Sequence, residues 1–386
     1  MGKYAIVAIG YNRADSMQRL LNSLSKVEYD GDDVSLIISI DNSGTDFVEK
    51  CADKFVWDFG EKIVKTYPER LGLRNHILSC GNFLKDYDAI AVFEDDIVVA
   101  PGFYMYMKET VAKYESDDRI AGISLYNHLW NVNAKLPFQP QCSPYDVYFL
   151  QFAQSWGQIW MKNQWNEFVE WYKSNSEEFV AQEDIPGFVS SWPKTSWLKY
   201  HIKYCIEKNK FFVYPYTAFS TCFSDVGEHC SEKNTCLQIP MMQGVKKGFI
   251  LPDFDDEFIV KYDAFFERIM NDDINGIKPE EYCMDLYGSR KGYLGKRYVV
   301  TTKSLPYKVL KGFSLDFKPH EENIIQGVSG EELFLYDTLE VSEAPKAEMD
   351  ELLYYFRLYG RSRQLGEYVL NQIVQKFRRK ICGKNY

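Results

Sequence analysis

Three carboxylates stand side by side at Glu94, Asp95 and Asp96, between the apolar run AIAVF (89–93) and a second one, IVVA (97–100). Adjacent carboxylates repel one another unless a cation or hydrogen-bond donors offset their charge. Hard oxygen donors at the end of a strand suit Mg2+ or Mn2+, which also bind phosphate oxygens. One divalent ion shared between a carboxylate of the triplet and a diphosphate is chemistry that such a group can do. A solvated acidic loop is the plain alternative, and DFDDEF (253–258) shows that acidic clusters also occur here outside any strand setting. Two more apolar runs end in polar residues. YAIVAIG (4–10) leads into Asn12 and Arg13, and VSLIISI (34–40) leads into Asp41. An Asp for a base or ribose, an Arg for a phosphate or base, and an acid for a metal together compose a pocket for a nucleoside diphosphate.

These residues need a scaffold that brings their strand ends to one edge. The first 130 residues supply the pattern of one. Short β-branched runs at 4–10, 34–44, 61–67, 88–96 and 120–127 alternate with segments of helical apolar spacing at 15–27, 46–55, 73–87 and 102–115. Strand–helix alternation at this spacing predicts βαβ units and a mostly parallel sheet. The near-continuous apolar strands fit a sheet covered on both faces. In such open α/β sheets, ligands bind beyond the carboxyl ends of the strands, where the acids and Arg13 fall. No GxGxxG follows the first strand and no GxxxxGK[ST] occurs, which argues against a dinucleotide cofactor and a P-loop.

Composition sets outer limits. The chain has 386 residues, 46% hydrophobic and 16% aromatic, enough for a large core. Its net charge of −10 argues against nucleic-acid binding. Nine scattered Cys without a CxxC pair fit a reducing compartment, so a cytoplasmic protein is expected.

The succession YNRADSMQRLLNSL, IISIDNSG, ERLGLRNHILSCGNFL and AVFEDDIVVAPGFYMYM resembles glycosyltransferases of the GT-A fold. It is similar both to the N-acetylglucosaminyltransferase I type and to bacterial family 2-like transferases of capsular polysaccharide, exopolysaccharide or O-antigen. The resemblance implies a Rossmann-like, mostly parallel sheet flanked by helices. Its implied ligands are Mn2+ (or Mg2+) and a nucleotide-sugar donor, UDP-linked by preference. By position, Asp96 would ligate the metal, Asp95 would sit near the ribose, and Glu94 near the base or donor sugar. Arg13 and Asp41 would line the nucleotide. The segment SWGQIWMKNQWNEF (155–168) resembles the Ser-Trp-Gly stretch that faces the donor sugar in such enzymes. Trp156 could stack on a sugar there, and Gly157 would let the backbone approach a ligand. In YPYTAFSTCFSDVGEHC (214–230), His229 would return to the metal or diphosphate. An inverting enzyme also needs a carboxylate base on the acceptor hydroxyl. In the N-acetylglucosaminyltransferase I pattern acids follow the Trp of PKxxW, but Leu198 and Lys199 follow it here. Glu183 and Asp184, beside a Pro-Gly turn, are then the expected base, with Asp225 and Glu228 as further candidates.

The expected organisation is a catalytic domain over 1–240, an accessory region for acceptor handling or homodimerisation over 241–343, and a helical tail over 344–386. VKYDAFFERIMND (260–272) reads as a helix. The tail from Arg357 onward holds eight Lys or Arg against Glu367, a net +7 that leaves the rest of the chain at −17. Leu365, Val369, Ile373, Phe377 and Ile381 recur every four residues, the pattern of a basic amphipathic helix that lies on an anionic membrane. The full expectation is therefore a peripheral enzyme at the inner face of a bacterial membrane, acting in surface polysaccharide synthesis on a lipid-linked glycan acceptor. A sugar nucleotidyltransferase and a non-catalytic sugar-binding scaffold on a decayed transferase fold are the rival readings.

Overall fold

The computed structural model describes residues 2–223, 225, 237–346, 351–356 and 360–381. Its first part alternates as the sequence predicts. Strand β1 (Tyr4–Gly10), helix α1 (Ala14–Leu24), β2 (Ser35–Ile40), α2 (Phe47–Lys54), β3 (Lys62–Thr66), α3 (Leu73–Cys80) and β4 (Ala89–Glu94) follow one another. A short β5 (Ile97–Val99), α4 (Phe103–Tyr114) and β6 (Ile120–Ser124) come next. A small hairpin, β7 (Trp130–Asn131) and β8 (Leu136–Pro137), precedes β9 (Val147–Leu150) and β10 (Gln158–Met161). Helices α5 (Lys162–Asn175), α6 (Gly187–Ser190) and α7 (Leu198–Glu207) lead to β11 (Phe211–Pro215), β12 (Ser220–Cys222) and β13 (Lys261–Tyr262).

Nine of these strands form one sheet in the order β13-β9-β11-β6-β10-β4-β1-β2-β3. β3, β2, β1 and β4 are mutually parallel. β10 runs antiparallel between β4 and β6, which makes those two parallel to each other. The carboxyl ends of β3, β2, β1, β4 and β6 therefore share one edge, and the residues just before β10 lie at that same edge. This is the Rossmann-like, mostly parallel arrangement that the GT-A resemblance implies. β1 and β2 are buried almost throughout. Their side chains alternate between two cores: Ile6 and Ala8 pack with α1, α2 and α4, and Ala5, Val7 and Ile9 pack with α3, α5 and α7. Helices cover both faces, which is why the strands carry no polar stripe.

The large sheet continues past residue 240. β13 pairs with β9, and Phe254 and Ile259 belong to its core. The helix expected over 260–272 is absent. Asp263 Oδ1 accepts hydrogen bonds from the N–H groups of Phe265 and Glu267, at 2.8 and 3.1 Å, and Phe266 takes a left-handed φ of 66°. A side chain that captures backbone donors in this way competes with the helix ladder. A second sheet follows, built from β14 (Tyr282–Asp285), β15 (Tyr298–Thr301), β16 (Tyr307–Phe313) and β17 (Leu333–Val341) in the order β14-β15-β17-β16. Helix α8 (Glu321–Ile325) lies between β16 and β17 in the chain, and α9 (Glu351–Phe356) and α10 (Ser362–Ile381) come after them. The two sheets are joined by polar contacts, among them Tyr262 Oη donating to Glu321 Oε1 at 2.6 Å and an Arg290–Asp263 ion pair.

Candidate active site

Asp95 and Asp96 are the two turn residues between β4 and β5, so both carboxyl groups leave the sheet at its carboxyl edge. Glu94 is the last residue of β4 and pairs in register with Ile9 of β1. Arg13, the residue before α1, reaches across to this turn. Its Nη2 bonds Asp95 Oδ1, its Nε donates to Asp95 Oδ2 at 3.3 Å, and Nη2 lies 3.6 Å from Asp96 Oδ2. The strand-end Arg13 and the triplet thus lie on one edge of the sheet, and the pairing of Arg13 with Asp95 is a feature the sequence did not announce. Asn12 beside it is exposed.

A fourth carboxylate faces the group from far along the chain. β12 pairs antiparallel with β5, and Phe223 N donates to Asp96 O at 2.8 Å. Two residues on, Asp225 accepts from Ser16 Oγ at 2.9 Å and pairs with Arg19 of α1. Arg19 also lies over the Phe223 ring, 4.0 Å from its centroid. His229 lies outside the described residues, as does Glu228. The four described histidines, His76, His128, His201 and His320, are all buried.

The electrostatics of the triplet are lopsided. Burial, with Asp96 and Asp95 as neighbours, pushes the Glu94 carboxyl up to about 8, so it holds its proton at neutral pH. Burial likewise raises Asp95 to about 6 against the pull of the Arg13 hydrogen bond. Asp96 is raised by burial and lowered by Arg13. Its side chain keeps 23% of its surface exposed, against 6% for Asp95. No group of three or more His, Cys, Asp and Glu side chains among the described residues could hold a metal by itself. The donor set nevertheless fits a hard cation that takes most of its ligands from elsewhere. Asp96 offers an accessible carboxylate, and one guanidinium is shared between it and Asp95. Mg2+ and Mn2+ sites of this kind use one or two carboxylates and complete the shell with water and phosphate oxygens.

Asp41 sits at the end of β2, but its carboxylate has a local task. Oδ1 accepts from the N–H groups of Asn42 and Leu71, at 2.9 and 2.8 Å, and Oδ2 accepts from Gly72 N at 2.9 Å. Asp41 thereby clamps the loop 68–72 that opens α3. That loop carries Arg70, whose guanidinium lies 4.9 Å from the centre of the Tyr11 ring. An open groove of about 560 Å3, lined by Asp41, Asn42, Thr45, Phe47 and Tyr67 among others, begins at Asp41.

The segment before β10 stands beside Glu94. Ser155 hydrogen-bonds the Glu94 carboxyl. Trp156 is tilted against Tyr126, with centroids 4.7 Å apart. Gln154 locks the segment, donating to Ser124 Oγ at 2.7 Å and to Gly157 O at 2.8 Å. Gly157 has φ +99°, and an added Cβ would lie 2.9 Å from Ser220 Oγ and 3.2 Å from Phe93 Cε1. The close backbone approach that sequence assigns to a ligand is thus made by Ser220 and Phe93 of the chain itself. Gly157→Ala should lower stability by about 2 kcal/mol or more, from left-handed strain plus the clash. Urea unfolding would check this, and a cost under about 0.5 kcal/mol would contradict it.

Trp197, ahead of α7, is buried and lines a 10 Å3 cavity with Glu94, Ser155, Gln158 and Ile77. Lys199, at a position where the family pattern has an acid, points its ammonium at Trp192 O (3.1 Å) and over the Phe179 ring (4.5 Å), a packing role. Glu183 accepts from Leu294 N at 2.8 Å. Its neighbour Gln182 reaches Glu207 at the far end of α7 from Trp197, about 15 Å along the ten-residue helix. Among the described residues no hydrogen bond or ion pair joins Glu183 or Asp184 to the triplet.

No family model and no curated protein matches the chain. Solved structures align with part of the chain at low identity. It is similar to the mannosyltransferase PcManGT from Pyrobaculum calidifontis in complex with GDP-Man and Mn2+, at 12% identity and TM-score 0.31, over 44% of this chain and 46% of that one. Residues 1–349 of S. aureus TarS in complex with UDP-GlcNAc match at 14% identity and TM-score 0.36, over 59% and 60%. GalNAc-T7 with UDP, GalNAc and Mn2+ matches at 14% identity and TM-score 0.40, over 56% and 43%. The chain spans less than two thirds of each of these proteins.

Proposed function

We propose that the chain is a glycosyltransferase that moves a sugar from a nucleoside-diphosphate donor, UDP-linked by preference, to a hydroxyl of a glycan acceptor in surface polysaccharide synthesis. The observation that carries this reading is the convergence of Arg13, Asp41 and the Glu94–Asp96 triplet on one edge of a mostly parallel sheet, with Asp225 facing them. Tyr11, Arg70 and the Asp41-clamped loop are the surfaces for the nucleoside. Arg13 is the cation for the donor's phosphates once it parts from Asp96. Glu94, whose carboxyl burial raises, can donate a hydrogen bond to a sugar hydroxyl while it holds its proton. Asp96 is the residue that would hold Mn2+ or Mg2+, and that ion, when bound, offsets charge on the leaving diphosphate. Glu183 is tied to Leu294, whereas Asp184 makes no hydrogen bond or ion pair among the described residues. Asp184, free of such ties, would have to be carried to the acceptor hydroxyl by its loop to serve as the general base of an inverting displacement.

Incubation with UDP-sugars and Mn2+ tests the reading. Slow release of UDP is expected without any acceptor, and EDTA should stop it. The buried Lys199 at the expected acid position favours one rival, a binding-only protein. That rival predicts UDP-sugar binding with no release of UDP over hours.

A further inference from the structure

Helix α10 carries an apolar face whose described side chains are largely exposed. At about 100° per residue, Leu365, Val369, Leu370, Ile373, Val374 and Phe377 fall within about half of its circumference, with the sequence positions of Arg363, Lys376 and Lys380 set among them, where long basic side chains can reach up to a headgroup layer. Phe377 and Leu370 are 63% and 62% exposed, and Val369, Ile373 and Val374 are exposed as well. Among the described residues no hydrogen bond, ion pair or ring contact joins α10 to the body. Among the described residues its ion pair is internal, Arg363 to Glu367 at 3.1 Å. The helix holds Arg363, Lys376, Arg378, Arg379 and Lys380 against the single acid Glu367. We propose that α10 lies flat on a surface of anionic phospholipid, its apolar face among the acyl chains and its basic residues against the headgroups.

Charge chooses this occupant. Two copies of this helix packed in parallel would set their basic C-terminal ends together, whereas each Lys or Arg gains about 1 kcal/mol near an anionic bilayer. Twenty residues make a helix about 30 Å long, which can bury its apolar face to the usual depth of about 5–10 Å. No helix among the described residues is long and apolar enough to cross a membrane, so the attachment is to the surface. The inference stands apart from the transferase reading, because it uses no residue of the strand-edge site.

Co-sedimentation of the full chain with vesicles tests it. Binding is expected to vesicles of phosphatidylglycerol and phosphatidylcholine, to weaken about tenfold or more on phosphatidylcholine alone, and to fall with added salt. Val369→Asp with Phe377→Asp, both at exposed positions, should cost a further tenfold or so while circular dichroism and thermal midpoint stay unchanged. Arg363→Glu should weaken binding only on the anionic vesicles. Equal sedimentation of the native and doubly substituted chains would overturn the proposal. So would a native chain that ignores both vesicle types, and light scattering that shows a dimer dissolved by the double substitution would then assign the face to a second copy.

Discussion

Glu94→Gln is expected to stabilise the metal-free protein by on the order of 3 kcal/mol at pH 8.5, and by less than about 1 kcal/mol at pH 5. The sign follows from the raised carboxyl. Glu94 titrates near 8 in the folded protein and near 4.5 in the unfolded chain. Below pH 4.5 both states hold the proton and the group costs nothing. As pH rises from 4.5 to 8 the unfolded chain gives up its proton while the folded one retains it, and stability is lost. Glutamine has the same shape and no proton to lose, so it removes that dependence. Urea unfolding in EDTA at the two pH values checks the prediction. A Glu94→Gln chain that is less stable than native at pH 8.5 would show an ionised carboxylate held by Arg13 instead.

Removal of Arg13 should act in the opposite sense. Arg13→Met leaves Asp95, nearly buried, and Asp96 without the guanidinium that meets them. Stranding a buried carboxylate costs about 3 kcal/mol or more. The loss should be greatest above pH 7, where the acids ionise, and should shrink when Asp95→Asn is added. Millimolar Mn2+ should restore part of it, since the substituted site then lacks its own cation. A loss below about 0.5 kcal/mol at pH 8 would mean that the triplet needs no counter-charge.

The strands and helices that frame the site were legible because their signals are local. β1, β2 and β4 are continuous apolar runs that end in polar residues, and α1 and α4 show helical spacing behind short loops. β10 was not legible. Its four residues lie in SWGQIWMKNQW, where aromatic spacing reads as easily as the start of a core helix. What makes Gln158–Met161 a strand is the gap between β4 and β6 that it fills, and no window of sequence contains that information. The same holds within the site. That Arg13 and the triplet share an edge could be read from the strand ends, but their ion pair depends on β1 and β4 being neighbours in the sheet. The placement of Asp225 over the triplet depends on pairing between β5 and β12, more than a hundred residues apart. Asp41 was legible as a strand-end acid, but its clamp on Leu71 and Gly72 appears only when β2 and the loop before α3 are adjacent. Gly157 carried a true signal, a backbone that must be approached closely, while the approaching group had to be found in the fold.

Calorimetric titration of UDP, GDP and CMP, each with and without Mn2+, into the native chain and into Asp96→Ala is the measurement that bears most directly on the donor site. UDP binding that requires Mn2+ is expected for the native chain, about a hundredfold weaker or lost in Asp96→Ala, with weaker heats for GDP and CMP. If no nucleotide binds with any dependence on Mn2+, or if Asp96→Ala binds UDP as the native chain does, then the triplet is only an acidic strand end and the transferase reading fails.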